Sequence, residues 1–207
     1  ERGSRLYSSS HQFRAPRAAG GKLRVGFVSQ HFRNHTIGSF MAGLIAKLPR
    51  DQFHVSVLSH LDQQDRMGRF IRQSCDEYVV TTQRLPVAIE RIERQRLDVL
   101  FYADIGMDPF TYSLACSRLA PVQCVTWGHP ITTGLKTIDY FVSSELLEVD
   151  GAGGQYTEQL VKLTTLPTYY YRPSSSGALK PRDHFGLSER DHVYLCPQSP
   201  FTPHPEL

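Results

Sequence analysis

Three loops of the sequence contain the residue types that most often do chemistry. They read QHFRNHT at 30–36, DIGMDP at 104–109 and GHPITTG at 128–134. Histidine and aspartate exchange protons near neutral pH when their surroundings shift their pKa values. Threonine hydroxyls and the backbone N–H groups near glycine hold polar ligands such as phosphate. Together the three loops indicate one functional site rather than three unrelated turns.

Each candidate in the first two loops also has a structural alternative. His35 is the candidate catalytic histidine, yet it lies where a helix is expected to begin, with Thr36 as the expected cap. His31 is more typical of a structural or solvent-exposed histidine. Asp104 and Asp108 are candidate acids, and either could instead cap the helix that follows. The residues alone leave these alternatives open.

The third loop offers a turn followed by a set of polar groups. The GHP run at 128–130 contains His129, and it could simply shape the turn, because proline fixes φ. Thr132, Thr133 and Gly134 supply hydroxyls and N–H groups that could cradle a polar ligand. This signal is weak when taken alone.

Alternating strands and helices must position these loops. Hydrophobic spacing predicts strands at 23–29, 53–59, 78–80, 98–104, 122–127 and 138–143, and helices at 37–48, 65–74, 85–95 and 109–119. This order predicts an α/β fold with a doubly wound, Rossmann-like parallel sheet. In such a sheet the carboxyl ends of the strands share one edge, where ligands bind. The three loops follow three of these strands.

Several common motifs of α/β proteins are missing. No G-x-G-x-x-G follows the first strand, which disfavours a nicotinamide-dependent dehydrogenase. No G-x-x-x-x-G-K-[ST] is present, so a P-loop nucleotide hydrolase is excluded. The absence of G-x-S-x-G argues against an α/β-hydrolase.

Charge and hydropathy limit the classes of partner. The 207 residues carry a net charge of +3, but residues 1–24 hold six basic residues and one acid, which leaves −2 for the rest. The basic tail is accompanied by no nucleic-acid recognition motif, so we expect no nucleic-acid partner. No apolar run approaches the roughly 18 residues of a membrane-spanning helix, so we expect no membrane partner.

The four cysteines, Cys75, Cys116, Cys124 and Cys196, form no C-x-x-C pair and have no nearby histidine spacing typical of zinc. They are typical of free, buried thiols in a reducing compartment. The sequence therefore predicts a cytoplasmic or nucleocytoplasmic protein without a structural metal ion.

The pattern of the chain changes after residue 149. A glycine run at 151–154, the segment 155–163 and a Pro-, Ser- and Gly-rich stretch at 169–190 are typical of connections. We predict four regions: a basic flexible linker at 1–21, a Rossmann-like domain at 22–165, a connecting segment at 166–191, and the first strand and loop of a truncated second domain at 192–207. The chain is therefore expected to be part of a longer protein.

Five segments resemble a known family. LRVGFVSQHFRNHTIGSFM, the stretch from DVLFYADIG to GHPITTG, IDYFVSSE, YTEQLVKL and VYLCPQSPF resemble, in this order, the catalytic region of the O-GlcNAc transferase and SPINDLY-type glycosyltransferases. The resemblance runs from about residue 22 to the end of the chain. Its most specific part is APVQ…WGHP…TTG, and the GHP form is closer to bacterial members.

The resemblance implies a GT-B architecture, in which two Rossmann-like domains face each other across a cleft, and this chain would hold the first. It implies transfer of a sugar, N-acetylglucosamine, from a UDP-sugar donor to Ser or Thr of an acceptor protein. It also implies inversion at the sugar, no metal ion or other cofactor, and tetratricopeptide repeats upstream. With most of the second domain absent, the chain alone is expected to be inactive and to bind UDP weakly.

The resemblance also implies roles for individual residues. His35 and Asp104 match the catalytic loops, and the residues matched to the donor are His129, Thr132, Thr133, Gly134 and Gln198. The chain departs from the family at Thr202, which occupies the position of a lysine on the diphosphate. Threonine cannot stabilise the charge of a leaving diphosphate as a lysine does. This departure favours an alternative in which the chain is a degenerate, non-catalytic GT-B module that docks peptides or partner domains.

Overall fold

Seven strands, four α-helices and two short 3-10 helices make up the regular structure within residues 21–172 and 177–195, the ranges that the computed structural model describes. The strands are β1 Leu23–Val28, β2 Phe53–Ser59, β3 Glu77–Val80, β4 Val99–Tyr102, β5 Val122–Thr126, β6 Tyr140–Ser144 and β7 Gln159–Leu163. The helices are α1 Thr36–Lys47, α2 Arg66–Ser74, α3 Leu85–Arg94 and α4 Pro109–Ala115.

All seven strands form one parallel sheet in the order β3-β2-β1-β4-β5-β6-β7. The chain builds the sheet outward from β1 to β3 and then returns to pair β4 with the free side of β1, with Val25 opposite Val99. This confirms the predicted doubly wound, Rossmann-like fold. The reversal between β1 and β4 is the topological switch point, where open α/β sheets bind ligands.

The sheet is buried on both faces because its inner strands are apolar nearly throughout. On one face, α1 and α2 pack their apolar sides against β1 and β2, with Phe40 and Ile71 wholly or almost wholly buried. On the other face, α3 and α4 cover the sheet through Ile92 and Leu114. Two apolar layers therefore hold the strand ends, and the loops that leave them, in fixed positions.

The helix–strand alternation stops after β5, and the predicted helix at 109–119 is shorter in the structure. Residues 127–139 join β5 to β6 without a helix, and α4 ends at Ala115 rather than near residue 119. The segment 155–163 was expected to be a connection, but its second half is β7, which pairs in parallel with β6. β7 has no buried residue, and its exposed and half-buried residues do not alternate regularly, because it is an edge strand of the sheet. An edge strand needs fewer apolar residues, which removes the usual sequence signal.

The chain divides into two units, 1–171 and 172–207. In the described part of the second unit, Arg182–Phe185 form a single 3-10 turn, and Arg182 donates to the carbonyl oxygens of Ser188 and Asp191. Residues 192–195, where a strand is predicted to start, have no regular structure. A strand is stabilised by pairing, and no neighbouring strand lies against these four residues in the described ranges. Residues 1–20 of the predicted linker at 1–21, together with Gln198 and Thr202, lie outside the described residues.

No helix in the described ranges is long and apolar enough to cross a membrane.

Gln123, from the APVQ segment, joins three parts of the backbone. Its fully buried amide accepts a hydrogen bond from the Leu119 N–H at 2.9 Å and donates to the carbonyl oxygens of Ser117 at 3.1 Å and Thr137 at 2.8 Å. The first two positions precede β5 and the third precedes β6. One side chain therefore fixes the entry of two neighbouring strands.

We expect Gln123→Leu to lower the free energy of unfolding by about 2–4 kcal/mol, because it removes three hydrogen bonds in buried surroundings without changing the volume greatly. Urea denaturation of the two proteins measures this difference. Gln159→Leu, at an exposed position of β7, serves as the matched control. A loss of less than about 0.5 kcal/mol for Gln123→Leu would show that these bonds do not hold the strands.

Candidate functional site

A buried carboxylate joins the first two loops at the switch point. Asp104 follows β4, and its Oδ2 accepts hydrogen bonds from the Ser29 hydroxyl at 2.7 Å and from the Gln30 N–H at 3.1 Å. Ser29 and Gln30 follow β1 directly. The loops after β1 and β4 are therefore bonded to each other where the sheet reverses.

Asp104 is not exposed at all, and burial raises its pKa to about 6. The hydrogen bonds from Ser29 and Gln30 lower the pKa, but they do not outweigh burial. The second oxygen, Oδ1, is buried and has no hydrogen-bond partner in the described part of the chain. A carboxylate in this state takes up a proton close to neutral pH, yet no ligand can touch it in this arrangement.

Of the two aspartates that could cap α4, the structure assigns the cap to Asp108. Its Oδ2 accepts from the N–H of Thr111 at 2.8 Å and from the Thr111 hydroxyl at 2.7 Å. Asp104 caps no helix and instead bonds across the sheet. The sequence left open whether either aspartate caps α4: Asp108 does, and Asp104 does not.

His35 itself, and not Thr36, is the N-cap of α1. Its Nδ1 accepts a hydrogen bond from the Ile37 N–H at 3.2 Å. Burial and the nearby Arg33 lower the pKa of His35, so its ring is neutral at pH 7. A neutral ring carries one proton, and because Nδ1 accepts, that proton lies on Nε2. His35 therefore presents an N–H donor at the edge of the site.

His31 stacks on His35, with 4.2 Å between ring centroids and 18° between planes. Burial, followed by His35 and Arg33, lowers the pKa of His31 to about 4, so both stacked rings are neutral near pH 7. Stacking two neutral rings avoids the repulsion that two charged imidazolium groups would suffer. This position fits a structural role for His31 better than a solvent-exposed one.

A chain of hydrogen bonds extends from His31 to the end of β2. His60 Nε2 lies 3.1 Å from Gln30 Oε1, and Gln30 Nε2 lies 3.3 Å from His31 Nε2. Gln63 adds a bond from its Nε2 to the Gln30 carbonyl oxygen at 3.0 Å. Sequence reasoning missed Gln30, His60 and Gln63. The available signal was positional, because His60 directly follows β2 at the same edge of the sheet.

Two glycines allow the second and third loops to touch. Gly106 has φ +94°, and a Cβ there would overlap the ring of His129. Gly128 lies so close to the carbonyl oxygen of Ala103 that a Cβ would overlap it. The GHP run therefore does shape a turn, and it also places His129 against the loop after β4.

Thr132 and Thr133 use their hydroxyls within the protein. Both hydroxyls donate to the carboxylate of Glu158, which directly precedes β7. Gly134, at φ +71°, has open space around the position of a Cβ. In the predicted ligand cradle, both hydroxyl protons and the Thr133 N–H are therefore already bonded to Glu158.

A cavity of about 340 Å³ borders the third loop, and sequence reasoning did not identify it. Its lining residues are Trp127, Pro130, Ser143, Leu147, Glu148 and Tyr156. Glu148 Oε1 accepts from the Ser143 hydroxyl at 2.6 Å and the Tyr156 hydroxyl at 2.9 Å. A larger cavity of about 440 Å³ is lined mainly by apolar residues of α1 and 163–169 and contains none of the predicted site residues.

The fold defines an α/β domain with a doubly wound parallel sheet, and polar side chains gather at its switch point. The model of glycosyl transferase family 41 matches residues 1–171, and the chain belongs to that family. This confirms the resemblance to the O-GlcNAc transferase type of glycosyltransferase.

Two curated relatives carry related names. "Probable UDP-N-acetylglucosamine--peptide N-acetylglucosaminyltransferase SEC" of Arabidopsis thaliana is 26% identical over 198 residues, which is 90% of this chain and 20% of that protein. The "UDP-N-acetylglucosamine--peptide N-acetylglucosaminyltransferase" of Caenorhabditis elegans is 26% identical over 150 residues, 68% of this chain and 12% of that protein. The chain thus spans a fifth or less of the length of these relatives.

A solved structure shares the fold. A mutant O-GlcNAc transferase of Thermobaculum terrenum superposes with a TM-score of 0.68 at 26% identity, over 79% of this chain and 32% of that one. The seven-stranded parallel sheet therefore corresponds to part of a GT-B glycosyltransferase.

Asp104→Asn tests the state of the buried carboxylate through the pH dependence of stability. Between about pH 4 and pH 6, folded Asp104 keeps a proton that the unfolded chain has lost, because its pKa rises from 3.8 to about 6 on folding. The free energy of unfolding therefore falls as the pH rises through this range, by about 3 kcal/mol in total. We expect Asp104→Asn to gain about 2 kcal/mol relative to wild type on going from about pH 4.5 to about pH 7.5.

Chemical denaturation of both proteins at the two pH values measures this gain. Asp51→Asn, at an exposed position, controls for the loss of a negative charge in general. If the stability difference between Asp104→Asn and wild type does not change with pH, the buried carboxyl does not titrate as described.

Proposed function

We propose that this chain forms the first half of the catalytic region of a protein glycosyltransferase that moves N-acetylglucosamine from a UDP-sugar to a Ser or Thr hydroxyl. The proposal includes inversion at the sugar carbon, needs no metal ion, and takes the acceptor protein as partner. Its main support is the family match over residues 1–171, together with the names of the relatives. The polar groups collected at the switch point support it independently.

In the proposed reaction, the acceptor hydroxyl oxygen attacks the anomeric carbon of the sugar. The bond from that carbon to the diphosphate oxygen breaks, UDP leaves with the bonding electrons, and the hydroxyl proton passes to a base. A single displacement of this kind inverts the carbon. The site must therefore orient the hydroxyl and exclude other nucleophiles.

We assign His35 the orienting role. With Nδ1 bonded to the Ile37 N–H, neutral His35 offers its Nε2–H to an oxygen of the acceptor or donor. To act as a base through Nε2, the ring would have to carry its proton on Nδ1 and give up the cap. Loss of an N-cap costs about 1 kcal/mol, so the donor state is favoured.

Asp104 is proposed to position rather than to react, because it is fully buried. Its bonds to Ser29 and Gln30 fix the start of the loop that carries the two histidines. His129 and the backbone of 132–134 are proposed to lie against the donor sugar-diphosphate. The role of Gln198 at the nucleotide stays a prediction.

Substitutions of His35 in the full-length natural protein separate the orienting role from the base role. Glutamine can place an amide N–H near the position of Nε2 but cannot act as a base, whereas alanine can do neither. We expect His35→Ala to lower transfer of radiolabelled N-acetylglucosamine to an acceptor by about 100-fold, because the reacting groups lose their orientation. We expect His35→Gln to retain activity within about tenfold of wild type.

His35→Asn is the control for the cap, since asparagine caps helices well but does not reach the position of Nε2. It should keep stability and lose activity as the alanine variant does. If His35→Gln is as inactive as His35→Ala, the ring acts as a base instead. If His35→Ala transfers within a few-fold of wild type, neither role holds.

A further inference from the structure

Glu158 holds the third loop through several hydrogen bonds. It lies just before β7 and is 4% exposed. Its Oε2 accepts from the Thr132 hydroxyl at 2.7 Å, while Oε1 accepts from the Thr133 N–H at 2.8 Å and from the Thr133 hydroxyl. All three donors belong to the loop at 128–134. One carboxylate therefore takes hydrogen bonds from two successive residues of that loop.

The threonine hydroxyls complete the arrangement by accepting hydrogen bonds. The Thr132 hydroxyl oxygen accepts from the Thr157 N–H at 3.0 Å, and the Thr133 hydroxyl oxygen accepts from the Leu135 N–H at 3.1 Å. Each hydroxyl thus donates to Glu158 and accepts from a backbone N–H. Together these bonds tie the end of the loop to the start of β7.

The carboxylate stays charged in this setting. Burial raises the pKa of Glu158, but the hydrogen bonds from Thr133 and Thr132 outweigh burial and leave the pKa below its ordinary value. Hydrogen bonds to an ionised acceptor are stronger than those between neutral groups. A glutamine could not replace this carboxylate, because its NH2 group donates and cannot accept from a hydroxyl proton.

The loop is fixed at both ends and free at its tip. Its start is held by the close approach of Gly128 to Ala103, and its end is held by Glu158. Between these points Ile131 is 60% exposed. The tip of the loop is therefore presented to solvent on a rigid base.

We propose that Glu158 is a positioning residue for the sugar-nucleotide donor, acting through Thr132 and Thr133. It orients the loop so that backbone groups near Gly134 and the ring of His129 meet the donor, while the threonine hydroxyls remain bonded to the carboxylate. This inference rests on the proposed glycosyltransferase function. It changes the role of the two threonines from direct ligands to the attachment points of the loop.

Glu158→Gln in the full-length natural protein tests this inference. We expect kcat/KM for UDP-N-acetylglucosamine to fall by at least about tenfold, because displaced contact groups stabilise the transition state poorly. We expect the KM for the acceptor to change less than about twofold. Hydrogen exchange at the Thr133 amide should accelerate at least about tenfold, since its bond to Oε1 is weakened.

Two further proteins complete the experiment. Glu145→Gln, the same change at an exposed position between β6 and β7, should leave the kinetics and the exchange as in wild type. Thr133→Val removes one donor while keeping the carboxylate and should show the same two effects, so a folding failure of Glu158→Gln does not end the test. Combined with Glu158→Gln, its effect on kcat/KM should be less than additive.

The outcomes are distinct. Unchanged exchange at Thr133, or faster exchange with unchanged kcat/KM for the donor, would overturn the positioning role while the enzyme remains active. A wild-type protein without any transferase activity would instead overturn the proposed function and this role with it. A lower melting temperature with unchanged kinetics would assign Glu158 to stability alone.

Discussion

The bond network of Asp104 is the interaction on which the site depends. A doubly wound sheet reverses between β1 and β4, and the reversal leaves a gap between the loops that follow these two strands. Asp104 spans this gap by accepting from Ser29 and Gln30. The loop that carries His31 and His35 begins at these residues, so its position follows from one buried carboxylate. The raised pKa of Asp104, about 6, shows that this arrangement costs stability at neutral pH, as is common at functional sites.

The rest of the site is built on rigid elements. His35 is fixed because it caps α1, and the third loop is fixed by the close approach of Gly128 to Ala103 and by Glu158. Each contact connects a loop to a helix or strand whose apolar side is packed in one of the two core layers. Groups held in this way lose little freedom when a ligand binds, which is the physical basis of preorganisation.

The fold was largely predictable because its inner strands are buried on both faces and produce continuous apolar runs. β7 escaped prediction because an edge strand with no buried residue lacks such a run. At the site, the loops and the role of Asp108 as a cap follow from local patterns. The bond from Asp104 to Ser29 and the bonds from Glu158 to the third loop join residues distant in the chain. No local pattern encodes such contacts. The choice of N-cap for α1 was also open in the sequence, because the side chains of both His35 and Thr36 can accept a hydrogen bond at a helix start.

The state of Asp104 is the most direct test of this account. Titration of the Asp104 carboxyl carbon by ¹³C NMR reports the proton occupancy of this group alone. A buried carboxylate with one oxygen unpartnered should titrate with a midpoint near pH 6. A midpoint near 4, the value of an exposed aspartate, would contradict the account, because burial would then not control the charge of Asp104.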